Sequence, residues 1–212
     1  EKKCIIASKP VIISTHMKES MLTSPTPTRA EANDVANAVM DGADAVMLSA
    51  ETSVGKYPVQ VVQAMERIIR NVEKEPQVYY KGKRPVEESP TFLSDEVCFT
   101  AVRMSDHLNA KAIVSMTRSG YTGYKISSFR PEAGIFIFTN NLPLLNTLNL
   151  VWGVRGFYYD RYHSTDETFN DVLEILKDND FVKENDIVIN TASMPIHQKS
   201  RTNTIKVSVV KE

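Results

Sequence analysis

Short β-branched runs alternate along this chain with segments of helical periodicity, and that alternation admits few folds. Residues 10–15 (Pro-Val-Ile-Ile-Ser-Thr) read as a buried parallel strand. A loop carrying Pro25 and Pro27 follows. Thr28-Arg29-Ala30-Glu31 is a capping-box pattern, with Thr at the N-cap and Glu at N3. Ala32, Val35, Ala36, Val39 and Met40 then recur on one helical face, and Gly42 stands where a terminating glycine belongs. Ala45–Leu48 reads as a second buried strand. Pro58 suits the first turn of a helix whose apolar positions Val61, Met65, Ile68 and Val72 lead to Lys74. The order strand, helix, strand, helix implies parallel strands joined by right-handed crossovers.

Residues 76–90 break the pattern with Pro76, Gly82, Pro85, Pro90 and many charges, and read as a linker. A new alternation follows. Helices are expected around 93–108, 122–129, 144–150 and 165–178. Strands are expected at 112–116, 134–139, 154–158, 187–189 and 204–210. The last strand alternates, with Ile205, Val207 and Val209 on one side, which suits an edge. The first unit has only two strand–helix pairs, too few to bury its own strand edges. A strand-like run also follows the first residues almost at once. Both features are expected of a chain that starts inside a larger fold. The second unit, with about five strands, has enough elements to fold alone.

Composition excludes several classes. With 42% hydrophobic and 24% charged residues the chain is ordinary globular protein. A net charge of -1 gives no global attraction to nucleic acid or anionic membrane. No apolar run approaches the ~20 residues of a membrane span, and no secretory pattern opens the sequence. Cys4 and Cys98 are far apart, and no Cys/His cluster suggests a metal site; two reduced thiols in a cytoplasmic protein are expected.

In parallel α/β folds, ligands bind at the C-terminal ends of strands. That rule selects Ser14-Thr15-His16 after the first strand and Ser49-Ala50-Glu51-Thr52 after the second, as neighbours at one mouth. Their hydroxyls either meet a ligand or satisfy loop backbone groups. In the second unit, Thr117-Arg118-Ser119-Gly120-Tyr121-Thr122 follows a buried strand and opens a helix. Backbone N–H groups flanked by hydroxyls there suit an anion, although a plain strand-to-helix turn has the same appearance. Lys199 and Arg201, in the loop before the last strand, carry the charges to pair with phosphate or to sit solvated.

The residues themselves are recognisable. Lys9-Pro10-Val11-Ile12, the run 15–21 (Thr-His-Met-Lys-Glu-Ser-Met) and 25–31 (Pro-Thr-Pro-Thr-Arg-Ala-Glu) closely resemble one block of the pyruvate kinases. The stretch 34–44 extends that block; Met47–Thr52 and Gly55-Lys56-Tyr57-Pro58 complete it. Behind it, Thr117-Arg118-Ser119-Gly120 and Thr202-Asn203-Thr204 resemble the same family. The resemblance implies an α/β fold: a partial (β/α)8 TIM barrel at 1–75, a linker at 76–91, and at 92–212 a three-layer αβα domain with a mostly parallel five-stranded sheet. It implies an enzyme that transfers the phosphoryl group of phosphoenolpyruvate to ADP, assisted by Mg2+ and K+. It implies that Thr15 contacts substrate and helps deliver the proton to the enolate, with Ser49 a second candidate for that relay. Thr117, Arg118, Ser119, Gly120, Thr122, Lys199 and Arg201 would hold the phosphate of a sugar-phosphate effector. A homotetramer is implied too, with Arg29, the segment 93–108 and the last strand as contacts. His16 stands where the family usually has Gln, Lys18 where it has Leu, and Ser8 and Ala50 where it has Gly. The family's metal ligands and phosphate-contacting lysine lie upstream of these residues, so this chain alone is expected to be inactive. The competing expectation is a free-standing phosphometabolite-binding or oligomerisation module.

Overall fold

The computed structural model describes residues 2–14, 17–80, 83–161, 164–194 and 201–211. It divides the chain into two compact units, Glu1–Lys81 and Gly82–Glu212.

The first unit begins with a helix, α1 (Lys2–Ile6), where the sequence suggested extended chain. Strand β1 (Ile12–Ile13) pairs in parallel with β2 (Ala45–Val46). Helices α2 (Arg29–Asp41), α3 (Ala50–Ser53) and α4 (Pro58–Val72) pack around this short sheet, with a 3-10 turn at Glu19–Leu22. The strands are shorter than the β-branched runs, and they are not buried as expected: Ile12 is 45% and Met47 44% exposed. Each strand has one partner in a two-stranded sheet, so ladder and apolar cover both end early. The side toward the helices is well packed. Met17, Val35, Ala38, Ala43 and Met65 form one buried cluster, and Met21, Val61 and Ala64 form another.

Helix α2 starts and stops as its sequence dictates. Thr28 accepts a hydrogen bond from the Glu31 N–H, and the Glu31 carboxylate accepts from the Thr28 N–H at 2.8 Å, completing the capping box. Glu31 also accepts from the Thr28 hydroxyl and from both the N–H and hydroxyl of Ser20. Gly42 ends the helix at φ 99°, a left-handed conformation that costs glycine little.

The second unit is a five-stranded sheet of order β5-β4-β3-β6-β7. Its strands are β3 (Ala112–Met116), β4 (Gly134–Thr139), β5 (Val154–Tyr158), β6 (Ile187–Ala192) and β7 (Thr204–Val209). All pair in parallel except β7, which runs antiparallel to β6 at one edge. Among the described residues four helices cover it: α5 (Phe92–His107), α6 (Tyr121–Ser128), α7 (Leu142–Leu148) and α8 (Thr165–Asp178). On one face Val172 and Leu176 of α8 pack over Ala112, Val114, Phe136, Phe138 and Val188. On the other, α5 packs on β6 and α6 on β4. The central strands are buried on both faces, as crossover helices require. Strand β7 turns Val207 and Val209 outward, 44% and 52% exposed, while the Lys206 ammonium lies over the Phe169 ring. The Trp152 ring lies 5.0 Å from the Arg130 guanidinium, which is buried beside α6 and suits cation–π contact.

Burial opposes the charge on Glu31, but the hydrogen bonds from Ser20 and Thr28 outweigh it and hold the carboxyl down at about 2, against an ordinary 4.5. The charged form is thus favoured by folding. The stability this contributes is complete above pH 4.5 and is lost as pH falls toward 2. Thr28→Ala is expected to destabilise the first unit by about 1 kcal/mol and to reduce the acid sensitivity of unfolding between those values, as followed by urea denaturation at pH 3 and pH 7.

Candidate functional site

Strand β1 leads to Ser14, which is exposed at the C-terminal end of the small sheet. Thr15 and His16 lie outside the described residues. Met17 and Lys18, further along, are both buried. Across from it, Ser49 precedes α3 and is exposed. The Ser49 side chain makes no capping bond to that helix, so its hydroxyl is not spent on the backbone there.

One carboxylate joins the two loops. Glu51, 5% exposed, accepts from the Lys18 N–H through Oε1 (3.2 Å) and from the Ser49 N–H through Oε2 (2.8 Å). The loops after β1 and after β2 are therefore held at one mouth by a buried, charge-assisted bridge. Sequence reasoning put Glu51 in this loop without a role; the signal available was an acid placed two residues beyond the strand-end serine.

The second candidate region lies at the C-terminal end of β3. The Thr117 hydroxyl accepts from the Gly120 N–H at 3.0 Å, folding the loop back on itself. Gly120 sits at φ 81°, a left-handed conformation that favours glycine, and a Cβ there would lie 2.6 Å from Leu144 Cδ1, so that side chain would have to shift. Gly120 has no side chain with which to cap α6. Arg118 and Ser119 are exposed, and the Arg118 carbonyl accepts from Asn141 Nδ2 at 3.3 Å. The Thr122 hydroxyl is buried and bonded to that of Thr202 at 2.7 Å. This bond brings the loop before β7 to the start of α6. Lys199 lies outside the described residues. The Arg201 guanidinium donates to the Pro90 carbonyl, just before α5.

A polar cluster behind this loop was not anticipated. Asp95, 4% exposed on α5, accepts from Lys125 Nζ (3.2 Å), from the Thr91 hydroxyl (2.9 Å) and from the Tyr121 hydroxyl. It ties the first turn of α5 to α6. Burial, aided by the bond to Asp95, pushes the Tyr121 phenol up to about 12, so it stays a donor at neutral pH. Burial and the same carboxylate raise the neighbouring Cys98 thiol to about 12, which keeps it protonated and unreactive. The sequence signal was weak, because Asp95 and Lys125 are far apart and each resembles an ordinary surface charge.

Among the described residues no three His, Cys, Asp or Glu side chains gather to hold a metal ion. Among the same residues no helix is long and apolar enough to cross a membrane.

Lys125→Met leaves the Asp95 charge buried on two hydroxyl donors and is expected to destabilise the second unit by about 3 kcal/mol. Chemical denaturation of the variant checks this, and an unchanged transition would show that Asp95 does not depend on Lys125.

Residues 95–208 match the family model described as pyruvate kinase, alpha/beta domain, and residues 1–62 match pyruvate kinase, barrel domain. The chain is 40% identical over 211 residues to a pyruvate kinase of Lactobacillus delbrueckii subsp. bulgaricus, covering 99% of this chain and 36% of that protein. It is 39% identical over 202 residues to pyruvate kinase 2 of Synechocystis sp., covering 95% and 34%. The crystal structure of a pyruvate kinase from Cryptosporidium parvum superposes with a TM-score of 0.86 at 31% identity, over 98% of this chain and 41% of that one. The chain spans about a third of the length of these curated relatives.

Proposed function

The chain belongs to the pyruvate kinase family, and on that premise we propose that it is part of a phosphotransferase that converts phosphoenolpyruvate and ADP to pyruvate and ATP in glycolysis. The observation that carries this reading is the match of both units, in sequence order, to the barrel and alpha/beta domains of one enzyme family. The phosphoryl group leaves the enol oxygen for a terminal oxygen of ADP, and the enolate left behind takes a proton at its methylene carbon. Thr15 contacts the substrate and hands on that proton; a hydroxyl suits the step because it both donates and accepts. Ser49 serves the same relay, a role favoured by its exposed hydroxyl and by the Glu51 bridge that fixes its loop against the one leaving β1. Mg2+ and K+ supply charge neutralisation to the transferring phosphoryl group. Their ligands come from residues outside these 212.

The second unit is the regulatory part in this reading. Its sugar-phosphate effector is held at the start of α6 by Thr117, Arg118, Ser119, Gly120 and Thr122, with Lys199 and Arg201 from the last loop. The bond between Thr122 and Thr202 supports the pairing of those two segments. Arg201 must exchange the Pro90 carbonyl for phosphate, and the bond to an anion, in which both partners are charged, is the stronger of the two. The enzyme assembles as a homotetramer in the cytoplasm. The exposed apolar residues Leu93 on α5 and Val207 and Val209 on β7 favour contacts there.

Two outcomes are expected. The isolated 212-residue chain forms no pyruvate from phosphoenolpyruvate and ADP in a coupled assay, whereas the longer enzyme containing it does, and Thr15→Val slows that enzyme by about 100-fold or more. Turnover by the isolated chain would overturn the assignment of the metal-dependent chemistry to upstream residues; full activity of the Thr15→Val enzyme would overturn the relay. In thermal melts, fructose 1,6-bisphosphate raises the melting temperature of the chain, and Ser119→Ala removes the shift. No shift in the chain or in the longer enzyme would exclude that effector.

A further inference from the structure

Lys18 follows the mouth of the first unit and turns its amine into the fold. Its side chain is fully buried, at 0% exposure, and among the described residues Nζ has no hydrogen-bond partner. Three carboxylates surround its segment: Glu31 and Asp34 on α2, and Glu51 on α3. Glu51 is committed to the N–H groups of Lys18 and Ser49. Glu31 is committed to four donors from Ser20 and Thr28. Asp34 is exposed. Helix α4 adds no buried charge, since its inward residues are Val61, Ala64 and Met65. The Lys18 ammonium therefore feels nearby carboxylates without bonding to any. An unpaired buried ammonium is costly, and two routes relieve it. Lys18 loses its proton, or it draws Glu31 away from the donors that Glu31 caps.

We propose that Lys18 is a pH-operated switch on the cap of α2: as an ammonium it competes for the Glu31 carboxylate that binds Ser20 and Thr28, and as a neutral amine it leaves that cap whole. The segment under its control, residues 17–31, is the one that leaves the mouth of the first unit. Burial lowers the Lys18 ammonium below its ordinary 10.5, and Glu31 and Asp34 oppose that shift without cancelling it. The folded state then holds fewer protons than the unfolded state between the lowered value and 10.5. Stability must rise with pH through that window, and the penalty is complete below it.

Thermal melts of the 212-residue chain and of Lys18→Met, Lys18→Leu, Glu31→Gln and Lys18→Met/Glu31→Gln, between pH 7.5 and pH 10, test the switch. That range lies above ordinary histidine titration and below the raised phenols of Tyr121 and Tyr159. Lys18→Met is expected to melt about 3 °C above the parent at pH 7.5, with the gap closing as pH rises. In the Glu31→Gln background the gap widens, because the ammonium has lost its counter-charge. Amide exchange at Ser20 and Glu31 is faster in the parent than in Lys18→Met at pH 7.5. The switch is overturned if both Lys18 variants melt at or below the parent, if the gap is constant with pH, or if Glu31→Gln leaves the gap unchanged.

Discussion

Parallel pairing is the constraint on which both units depend. A strand that must be followed by a parallel neighbour cannot turn back at a hairpin; the chain has to cross the face of the sheet and start again from the same end. Among the described residues each parallel crossover contains a helix (α2, α6, α7 or α8), entered from the C-terminal end of the preceding strand. Loops leaving those ends therefore meet one another. This is why Glu51 can reach both Lys18 and Ser49, and why the Thr117–Thr122 loop opens α6 beside a second loop arriving at Thr202.

The two units satisfy that constraint to different degrees. In the second, β3, β4 and β6 lie between helices and bury nearly every side chain. The antiparallel β7 closes one side of the sheet with a half-exposed row. In the first, two short parallel strands share one ladder, and Ile12 and Met47 remain exposed. Its order rests more on polar anchors. Asp44 accepts the Val11 N–H, Glu31 gathers Ser20 and Thr28, and Glu51 bridges two loops. Carboxylates bonded to backbone N–H groups do here part of what apolar cover does in the other unit. That makes the first unit the more responsive to protonation, and it gives the buried Lys18 charge something to act upon.

The same polar groups explain how far the sites could be read in advance. The Thr117–Thr122 turn was legible because it joins a strand to a helix through a glycine, and local geometry alone produces its Thr117–Gly120 bond. Ser49 was legible as a strand-end residue. The Glu51 bridge, the cluster of Asp95 with Lys125, and the contact of Arg201 with Pro90 were not. Each joins residues distant in sequence, and each uses a side chain whose composition signal is that of an ordinary exposed charge.

Sequence by itself determined the alternation of elements, the capping box and terminating glycine of α2, the edge character of β7 and the family to which the chain belongs. These follow from local periodicity, from the few residues that close a helix end, and from a block of residues specific enough to be recognised. Only the tertiary structure decided how short β1 and β2 are, which carboxylate spans the mouth, where Arg201 spends its guanidinium and how deeply Lys18 is buried. Those depend on which surfaces meet. Burial and long-range hydrogen bonding are properties of the packed chain, and no local run of residues encodes them.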